Sequence, residues 1–166
     1  LSQTRGAEKE ILDSLSYTEQ YTDASFGRDP QENSLWKYLI PTPGAENRAS
    51  YLDNIFINEF MSSNSTVLQD EWGEYDDWIE IYNDNEFDVD LGGMFLSDDI
   101  TKKTKFRLSC DKPDSTTIPA KSYLLFWADD STEQGIRHLN FKLSGAGEQI
   151  ILTQPGGIDL VDSLSY

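Results

Sequence analysis

The sequence predicts an all-β domain built from two packed sheets. From residue 51 onward, apolar and polar side chains alternate in short runs, which is the pattern of strands with one buried face. Gly, Pro, Asn or Asp residues separate these runs, and none of the runs has the spacing of an amphipathic helix. Seven or eight short strands within residues 51–166 are typical of a two-sheet sandwich.

The first predicted strands each turn one face to the core. Ile55 and Ile57 share a face of the first strand, and Ile79 and Ile81 share a face of the second, because strand side chains repeat every two residues. The other face of the second strand carries Trp78, Glu80 and Tyr82.

The later strands differ in their predicted burial. Residues 123–128 are apolar on both faces, which predicts a central strand buried on two sides. Residues 138–143 alternate, so we expect a strand with one solvent-exposed face and an exposed His138. Further strands are predicted at residues 106–108, 150–152 and 158–164. The predicted core consists of Ile55, Ile57, Ile79, Ile81, Leu124, Phe126, Leu139, Phe141, Leu143, Ile150 and Leu152.

Residues 1–50 are predicted to be extended and largely irregular. Turn-forming residues recur within 25–30 and 41–44, and these favour bends over regular elements. We therefore divide the chain into residues 1–50, the tail of a preceding repeat plus an interdomain linker, and residues 51–166, the sandwich domain.

An internal repeat supports this division. The pentapeptide Asp-Ser-Leu-Ser-Tyr occurs at residues 13–17 and again at 162–166, and the match extends back to residues 1–3 and 152–154 if two residues are inserted. A period of roughly 150 residues fits a tandem array of whole domains. Residues 1–17 then resemble the closing hairpin of an upstream domain. We expect them to fray, to pack on the sandwich, or to pair with a neighbouring molecule by edge pairing or domain swapping.

The charge balance excludes two classes of partner. The chain has 13 Lys and Arg against 30 Asp and Glu, a formal net charge of −17. Such a surface repels the phosphates of nucleic acids and of anionic membranes, so we expect no nucleic-acid partner. No apolar run has the length of a membrane span, so we expect no membrane insertion.

An ordered series of motifs resembles the lamin tail domain. The resemblance covers roughly residues 52–166, and the order of the motifs is more specific than any one of them. The motifs are INEF within 55–60, DWIEIYN at 77–83, VDLGGMFLSDD at 89–99, IPAKSYLL at 118–125, NFKLS at 140–144, Gly147-Glu148, and VDSLSY at 161–166.

The resemblance implies an immunoglobulin-like β-sandwich without catalytic residues, used as an interaction or spacer module. Residues 1–50 resemble the segment that follows such domains in bacterial multidomain proteins, which implies a secreted or cell-surface location. The partner, a protein or a cell-surface glycan, cannot be named from the sequence. The alternative function is a calcium-dependent or carbohydrate-binding accessory module of a hydrolase.

Calcium is the one cofactor that the residues suggest. Residues 70–90 contain ten carboxylates and no Lys or Arg, and clustered oxygens suit Ca²⁺. Asp88, Asp90 and Asp99 occupy positions one, three and twelve of a loop with Gly93 at position six, so these three aspartates are the predicted metal ligands. A solvated acidic loop is the simpler interpretation of the same charges.

Other candidate chemistry is weaker. Glu80 lies between two aromatic residues and is the best candidate for a catalytic carboxylate, but it also belongs to the fold motif. A Ser-His-acid triad would have to use His138, the only histidine. Cys110, the only cysteine, is predicted to be half buried and inert because Asp111 disfavours its thiolate.

Overall fold

The structure is a computed structural model that describes residues 2–5, 8–17, 25–29, 35–39, 41–47 and 51–166. The strands of the N-terminal part are β1 (Ser2–Arg5), β2 (Glu8–Ile11), β3 (Ser25–Arg28) and β4 (Trp36–Leu39). The remaining strands are β5 (Ile55–Met61), β6 (Asp77–Asn83), β7 (Val89–Asp90), β8 (Phe95–Ser97), β9 (Phe106–Arg107), β10 (Thr117–Ile118), β11 (Ser122–Ala128), β12 (Gln149–Thr153) and β13 (Leu160–Ser165). One helical turn, α1 (Pro113–Thr116), and two 3-10 turns complete the described elements.

Two antiparallel sheets form the sandwich, which confirms the predicted fold class. One sheet has three strands in the order β11-β6-β5, and the other has four in the order β13-β12-β8-β9. The short strands β7 and β10 pair with each other. In the N-terminal part, β1 pairs with β2 and β3 pairs with β4, as two separate antiparallel hairpins.

The core is one cluster of buried side chains drawn from both sheets. Of the predicted core residues only Leu124 is half buried, and it packs against the cluster. The others are buried, as the alternating pattern predicts. Each such side chain contributes about 1.5–3 kcal/mol of transfer free energy before the loss of chain entropy is subtracted. Phe126 is the largest of the fully buried side chains.

The predicted strand at 138–143 is wrong. This segment makes only isolated bridges, between Trp127 and His138 and between Asp129 and Lys142. Its backbone meets β11 at one point, where Trp127 N donates to Arg137 O and Leu139 N donates to Trp127 O, each at 2.7 Å. Turns on both sides carry the chain away, so the apolar side chains reach the core without forming a ladder.

The predicted central strand is also misplaced. β11 lies at the end of its ladder, and Tyr123 within it is half exposed. The strand buried on both faces is β12, in which all four residues from Ile150 to Thr153 are buried between its neighbours β13 and β8. A short apolar run identifies burial but not position in the sheet, because a loop can cover a face as well as a second sheet does.

The N-terminal hairpin shares its register with the closing hairpin. Ser2 pairs with Ile11 across β1 and β2, and Thr153 pairs with Leu160 across β12 and β13. The sequence repeat makes these two pairs equivalent. Ile11, Leu12, Leu15 and Tyr17 in the first copy are exposed. Pairing of residues 1–17 with another molecule stays a prediction.

The last strand is tied to the first strand of the sandwich. Asp162 Oδ2 accepts a hydrogen bond of 2.9 Å from Ile57 N, at the point where the register of β5 with β6 shifts between Ile57 and Glu59. Further along, the Tyr166 ring packs on Phe60 with centroids 4.2 Å apart. The second copy of the pentapeptide, residues 162–166, therefore holds the last strand of the sandwich to β5.

Tyr166 should make the domain less stable as the pH rises into the alkaline range. Burial first, and then the charge of Glu148 and the hydrogen bond that the Tyr166 hydroxyl donates to it, raise the pKa of Tyr166 to about 12. Because the folded state holds this proton more tightly than the unfolded state, its contribution is complete below about pH 10 and is lost as the pH rises toward 12. We expect urea unfolding to show a steeper loss of stability over that interval in the wild type than in Tyr166→Phe. Parallel pH profiles for the two proteins would contradict this assignment.

Candidate functional site

Three aromatic side chains lie side by side on the outer face of the three-stranded sheet. The register places Tyr82 of β6 between Phe56 of β5 and Tyr123 of β11. The rings of Tyr82 and Tyr123 stack with centroids 4.7 Å apart. Phe56 is 40% exposed and Tyr123 is 52% exposed. We call these three residues the aromatic row. They face away from the core because Ile57 and Ile81 occupy the alternate positions.

Charged groups surround one end of the aromatic row. The Tyr82 hydroxyl donates to Asp84 Oδ1 at 3.1 Å, and Lys121 Nζ donates to the same oxygen at 2.9 Å. Burial and then the hydrogen bond to Asp84 raise the pKa of Tyr82, so its hydroxyl stays a donor. The hydrogen bond from Lys121, and then that from Tyr82, lower the pKa of Asp84. The aromatic row thus combines apolar ring faces with the ion pair of Lys121 and Asp84 at one end.

A cluster of carboxylates lies in the segment between β5 and β6, and its turn is built around Asp70. Asp70 Oδ1 accepts hydrogen bonds from Trp72 N at 2.9 Å and Glu74 N at 2.8 Å. Asn64 braces the same segment, since its Nδ2 donates to Leu68 O and to Asp76 O. These bonds fix the carboxyl group of Asp70 and the backbone at Glu74 and Asp76, and Gln134 Nε2 donates to Glu74 Oε2 at 2.7 Å.

The cluster also includes Asp129, directly after the end of β11, and His138 in the loop that follows. Ligand atoms of Asp70, Asp129 and His138 lie within 4.8 Å of one another, and so do those of Asp70, Glu74 and Asp76. Asp70 belongs to both groups. We call these five residues the carboxylate cluster. The buried atoms with no hydrogen-bond partner include Asp70 Oδ2, Asp76 Oδ2, Gln134 Oε1 and His138 Nε2.

His138 is completely buried, so its predicted exposure is wrong. The turn at residues 135–138 folds the imidazole against the Trp127 ring, and Nδ1 donates to Asp129 Oδ2. Nε2 lies 3.4 Å from Glu71 Oε1. Burial acts to lower the pKa of His138, but the hydrogen bond with Asp129 and the charges of Asp129 and Glu71 outweigh it and raise the pKa overall.

The carboxylates of the cluster repel one another. Burial first, and then the charges of Asp129, Asp70 and Glu74, raise the pKa of Asp76, while Lys142 acts in the opposite direction. Burial and the three like charges therefore favour the protonated form of Asp76.

The three sequence-predicted metal ligands all accept hydrogen bonds from other groups of the domain. Asp88 Oδ1 accepts from Ala120 N, and Asp90 Oδ1 accepts from Gly92 N and from the Thr116 hydroxyl. Asp99 Oδ1 caps the turn at residues 100–102 by accepting from the hydroxyl and the backbone N of Thr101, and these bonds lower the pKa of Asp99. Within the described part of the chain, none of the three belongs to a cluster of converging ligand atoms. Calcium binding by Asp88, Asp90 and Asp99 stays a prediction.

The sequence missed two of the five residues of the carboxylate cluster. The density of acidic residues in 70–90 indicated Asp70, Glu74 and Asp76. Asp129 and His138 lie more than fifty residues further along the chain, and no spacing rule connects them to that segment. Only the fold brings the end of β11 and the loop after it beside the turn at Asp70.

Comparison with known proteins decides the family. A family model, the Lamin Tail Domain, matches residues 48–166, which is most of the chain. The chain belongs to the lamin tail domain family. Searches of the curated proteins and of the solved structures gave no match. The family resemblance inferred from the ordered motifs is confirmed.

Family membership supports an immunoglobulin-like interaction module. Lamin tail domains are a non-catalytic family, and Glu80, the candidate catalytic carboxylate, accepts a hydrogen bond of 2.8 Å from Asn58 Nδ2. Cys110 is exposed in this lamin tail domain, so its predicted partial burial is wrong. It follows the end of β9 in a bend, where the chain has already left the core. Among the described residues, no helix has the length and hydropathy needed to cross a membrane.

Proposed function

We propose that this lamin tail domain is a non-catalytic interaction and spacer module of a secreted or cell-surface bacterial multidomain protein. The observation that supports this function best is the aromatic row of Phe56, Tyr82 and Tyr123. Three neighbouring strands each place an aromatic ring on a face that the rest of the domain leaves accessible. Exposed aromatic side chains that adjoin one another are typical of binding surfaces.

The chemistry of the aromatic row supports, as its partner, a protein surface with an apolar centre and basic groups at its edge. The rings of Tyr82 and Tyr123 offer flat apolar area with a hydroxyl at the rim, which is the type of anchor enriched at interfaces. Glu59 and Glu80 occupy the next cross-strand position along the same face, so the row has an acidic border. Together with the net charge of −17, this border attracts a basic partner and repels an acidic one.

Site-specific crosslinking tests the proposal. A photo-crosslinking amino acid at position 123 is expected to capture one or a few proteins from the secreted and surface fractions of the bacterium that encodes the chain. The matched control carries the same amino acid at position 158, where Ile158 is exposed in the turn between β12 and β13. Excess unlabelled wild type should compete for the adduct, and Tyr82→Ser/Tyr123→Ser should not. Equal adducts at both positions, or no adduct at position 123, would overturn the function.

A glycan is the second candidate partner, and the stacked pair of Tyr82 and Tyr123 favours it. Sugar rings bind to aromatic faces, and nearby carboxylates accept hydrogen bonds from their hydroxyl groups. In this alternative the domain is a carbohydrate-binding accessory module of a hydrolase. A glycan array probed with the wild type and with Tyr82→Ser/Tyr123→Ser distinguishes the two. Signals lost in the double variant support the glycan, and a blank array leaves the protein partner.

A further inference from the structure

We propose that the carboxylate cluster is a calcium site, with Asp70, Glu74, Asp76 and Asp129 as the ligands. The ion would join the segment between β5 and β6 to the end of β11. Three of these ligands lie in the acidic segment 70–90, but none of the four is among the predicted ligands Asp88, Asp90 and Asp99. The site does not depend on which partner the aromatic row binds.

The geometry brings oxygen atoms from two parts of the chain to one point. Asp70 has a ligand oxygen within 4.8 Å of those of Glu74 and Asp76, and also within 4.8 Å of ligand atoms of Asp129 and His138. Two oxygens that both bind one Ca²⁺ at 2.3–2.6 Å are separated by at most about 5 Å. The separations within each of the two groups are therefore those of atoms that can share a single ion, and Asp70 belongs to both groups.

The strongest support for a bound cation is one carboxylate oxygen of Asp70 that has no hydrogen-bond partner. The residue is 8% exposed, and Oδ1 is used by the two backbone N–H groups of the turn. Oδ2 is buried and makes no hydrogen bond. A buried carboxylate oxygen without a partner is costly, and folded proteins rarely leave one unexplained. A cation at this point would satisfy Oδ2 and Asp76 Oδ2, which is also buried without a partner.

The charges of the cluster are not balanced by the protein itself. The two groups contain four carboxylates. The nearby basic groups are His138, whose Nδ1 already bonds to Asp129, Lys142, which acts on Asp76, and Arg137, which acts on Glu71. Glu71 adds a further acid on the Nε2 side of the imidazole. A divalent cation removes most of this excess negative charge, as bound ions do where they are the largest local charge.

The donor set favours Ca²⁺ over other cations. Carboxylate oxygens outnumber the one nitrogen donor, and His138 is held by Asp129 in the manner of a group that orients a ligand. Irregular loops supply most of the oxygens, which suits the flexible geometry of Ca²⁺ better than the strict octahedron of Mg²⁺. Zn²⁺ would require more nitrogen or sulfur ligands.

The ion would stabilise the loops that cover one end of the sheet. Trp78 and Trp127 lie on the outer face of β6 and β11 but are each only 6% exposed. The His138 ring covers part of Trp127. A cation that ties Asp70 and Asp76 to Asp129 would hold the two covering segments together over these indole rings.

A calcium titration tests the site on the full chain. Protein treated with EGTA and then dialysed is melted with increasing CaCl₂, with MgCl₂ and NaCl at matched ionic strength as references. Extracellular modules bind Ca²⁺ with dissociation constants of about 10⁻⁴ to 10⁻³ M, so about 5 mM Ca²⁺ is expected to raise the Tm by about 5 °C. Isothermal titration calorimetry of the same samples should give about one site per chain.

Two matched variants locate the ion. Asp70→Asn/Asp76→Asn keeps the side-chain shapes and removes two charges, and we expect it to weaken Ca²⁺ binding about tenfold or more. Asp88→Asn/Asp99→Asn alters two of the sequence-predicted ligands and should bind Ca²⁺ like the wild type. If the Asp70→Asn/Asp76→Asn protein does not fold, Asp76→Asn alone replaces it.

Three results would overturn the proposal. The first is a wild-type Tm that does not respond to 10 mM Ca²⁺ or responds equally to Mg²⁺. The second is a calcium response that survives in Asp70→Asn/Asp76→Asn but disappears in Asp88→Asn/Asp99→Asn. The third is a response to Zn²⁺ alone that His138→Gln abolishes, because it would make the cluster a nitrogen-dependent site instead.

Discussion

Replacing Phe126 by alanine is expected to lower the free energy of unfolding by about 3–5 kcal/mol. Phe126 is the largest fully buried side chain and lies opposite Ile79 in the three-stranded sheet, within the core cluster. The substitution removes the buried ring and leaves a cavity that the close-packed neighbours only partly fill. Urea unfolding followed by circular dichroism measures the loss directly.

Tyr123→Ala is the matched control for Phe126→Ala. It removes an aromatic ring from the same strand, but from the opposite, half-exposed face. We expect a much smaller loss in the free energy of unfolding, because the substitution removes a contact with Tyr82 on the surface and opens no cavity in the core. Similar losses for the two variants would show that β11 is not buried on the face that the structure assigns to the core.

Replacing Asn83 by alanine is expected to cost about 3–4 kcal/mol, although the side chain is polar. Asn83 is completely buried at the end of β6. Its Nδ2 donates to Phe87 O, Ile118 O and Pro119 O, and its Oδ1 accepts from the backbone and the side chain of Asn85. Truncation would remove all of these hydrogen bonds. Pro119 O would keep the one from Ser122 N, but the buried N–H groups of Asn85 would lose their bonds to Asn83 Oδ1, and a lost bond at a buried group carries the cost of its desolvation.

Asn58→Ala provides the comparison for Asn83→Ala. Asn58 is exposed and makes a hydrogen bond to Glu80. Its loss is expected to change the free energy of unfolding by about 0.5 kcal/mol or less. A loss below about 1 kcal/mol for Asn83→Ala would mean that water replaces the asparagine without penalty, and the network would then have no structural importance.

The sequence predicted the sandwich because strand alternation is a local signal. A period of two predicts which side chains of each strand point into the core, and the buried residues Ile55, Ile57, Ile79 and Ile81 agree with it. The same signal failed for residues 138–143, because an irregular segment can also bury every second side chain. It also failed to separate β11 from β12, since apolar runs report burial and carry no information on strand order.

The candidate sites were less accessible to sequence analysis than the fold. The motif of β6 indicated the strand but not the role of Asn83, which depends on carbonyl groups of residues 87, 118 and 119. The aromatic row requires the register of three strands, and the carboxylate cluster requires two segments that meet only in the folded chain. Composition revealed that acidic residues were abundant but not which of them converge.

The hydrogen bond from Ile57 N to Asp162 Oδ2 lies where a pulling force would act on this domain. It joins β5 and β13, which are the first and last strands of the sandwich. Tension transmitted along a string of such domains would enter each one through β5 and leave it through β13. The force would therefore act on this junction together with the ladders that hold β5 to β6 and β13 to β12, before it reached the inner strands.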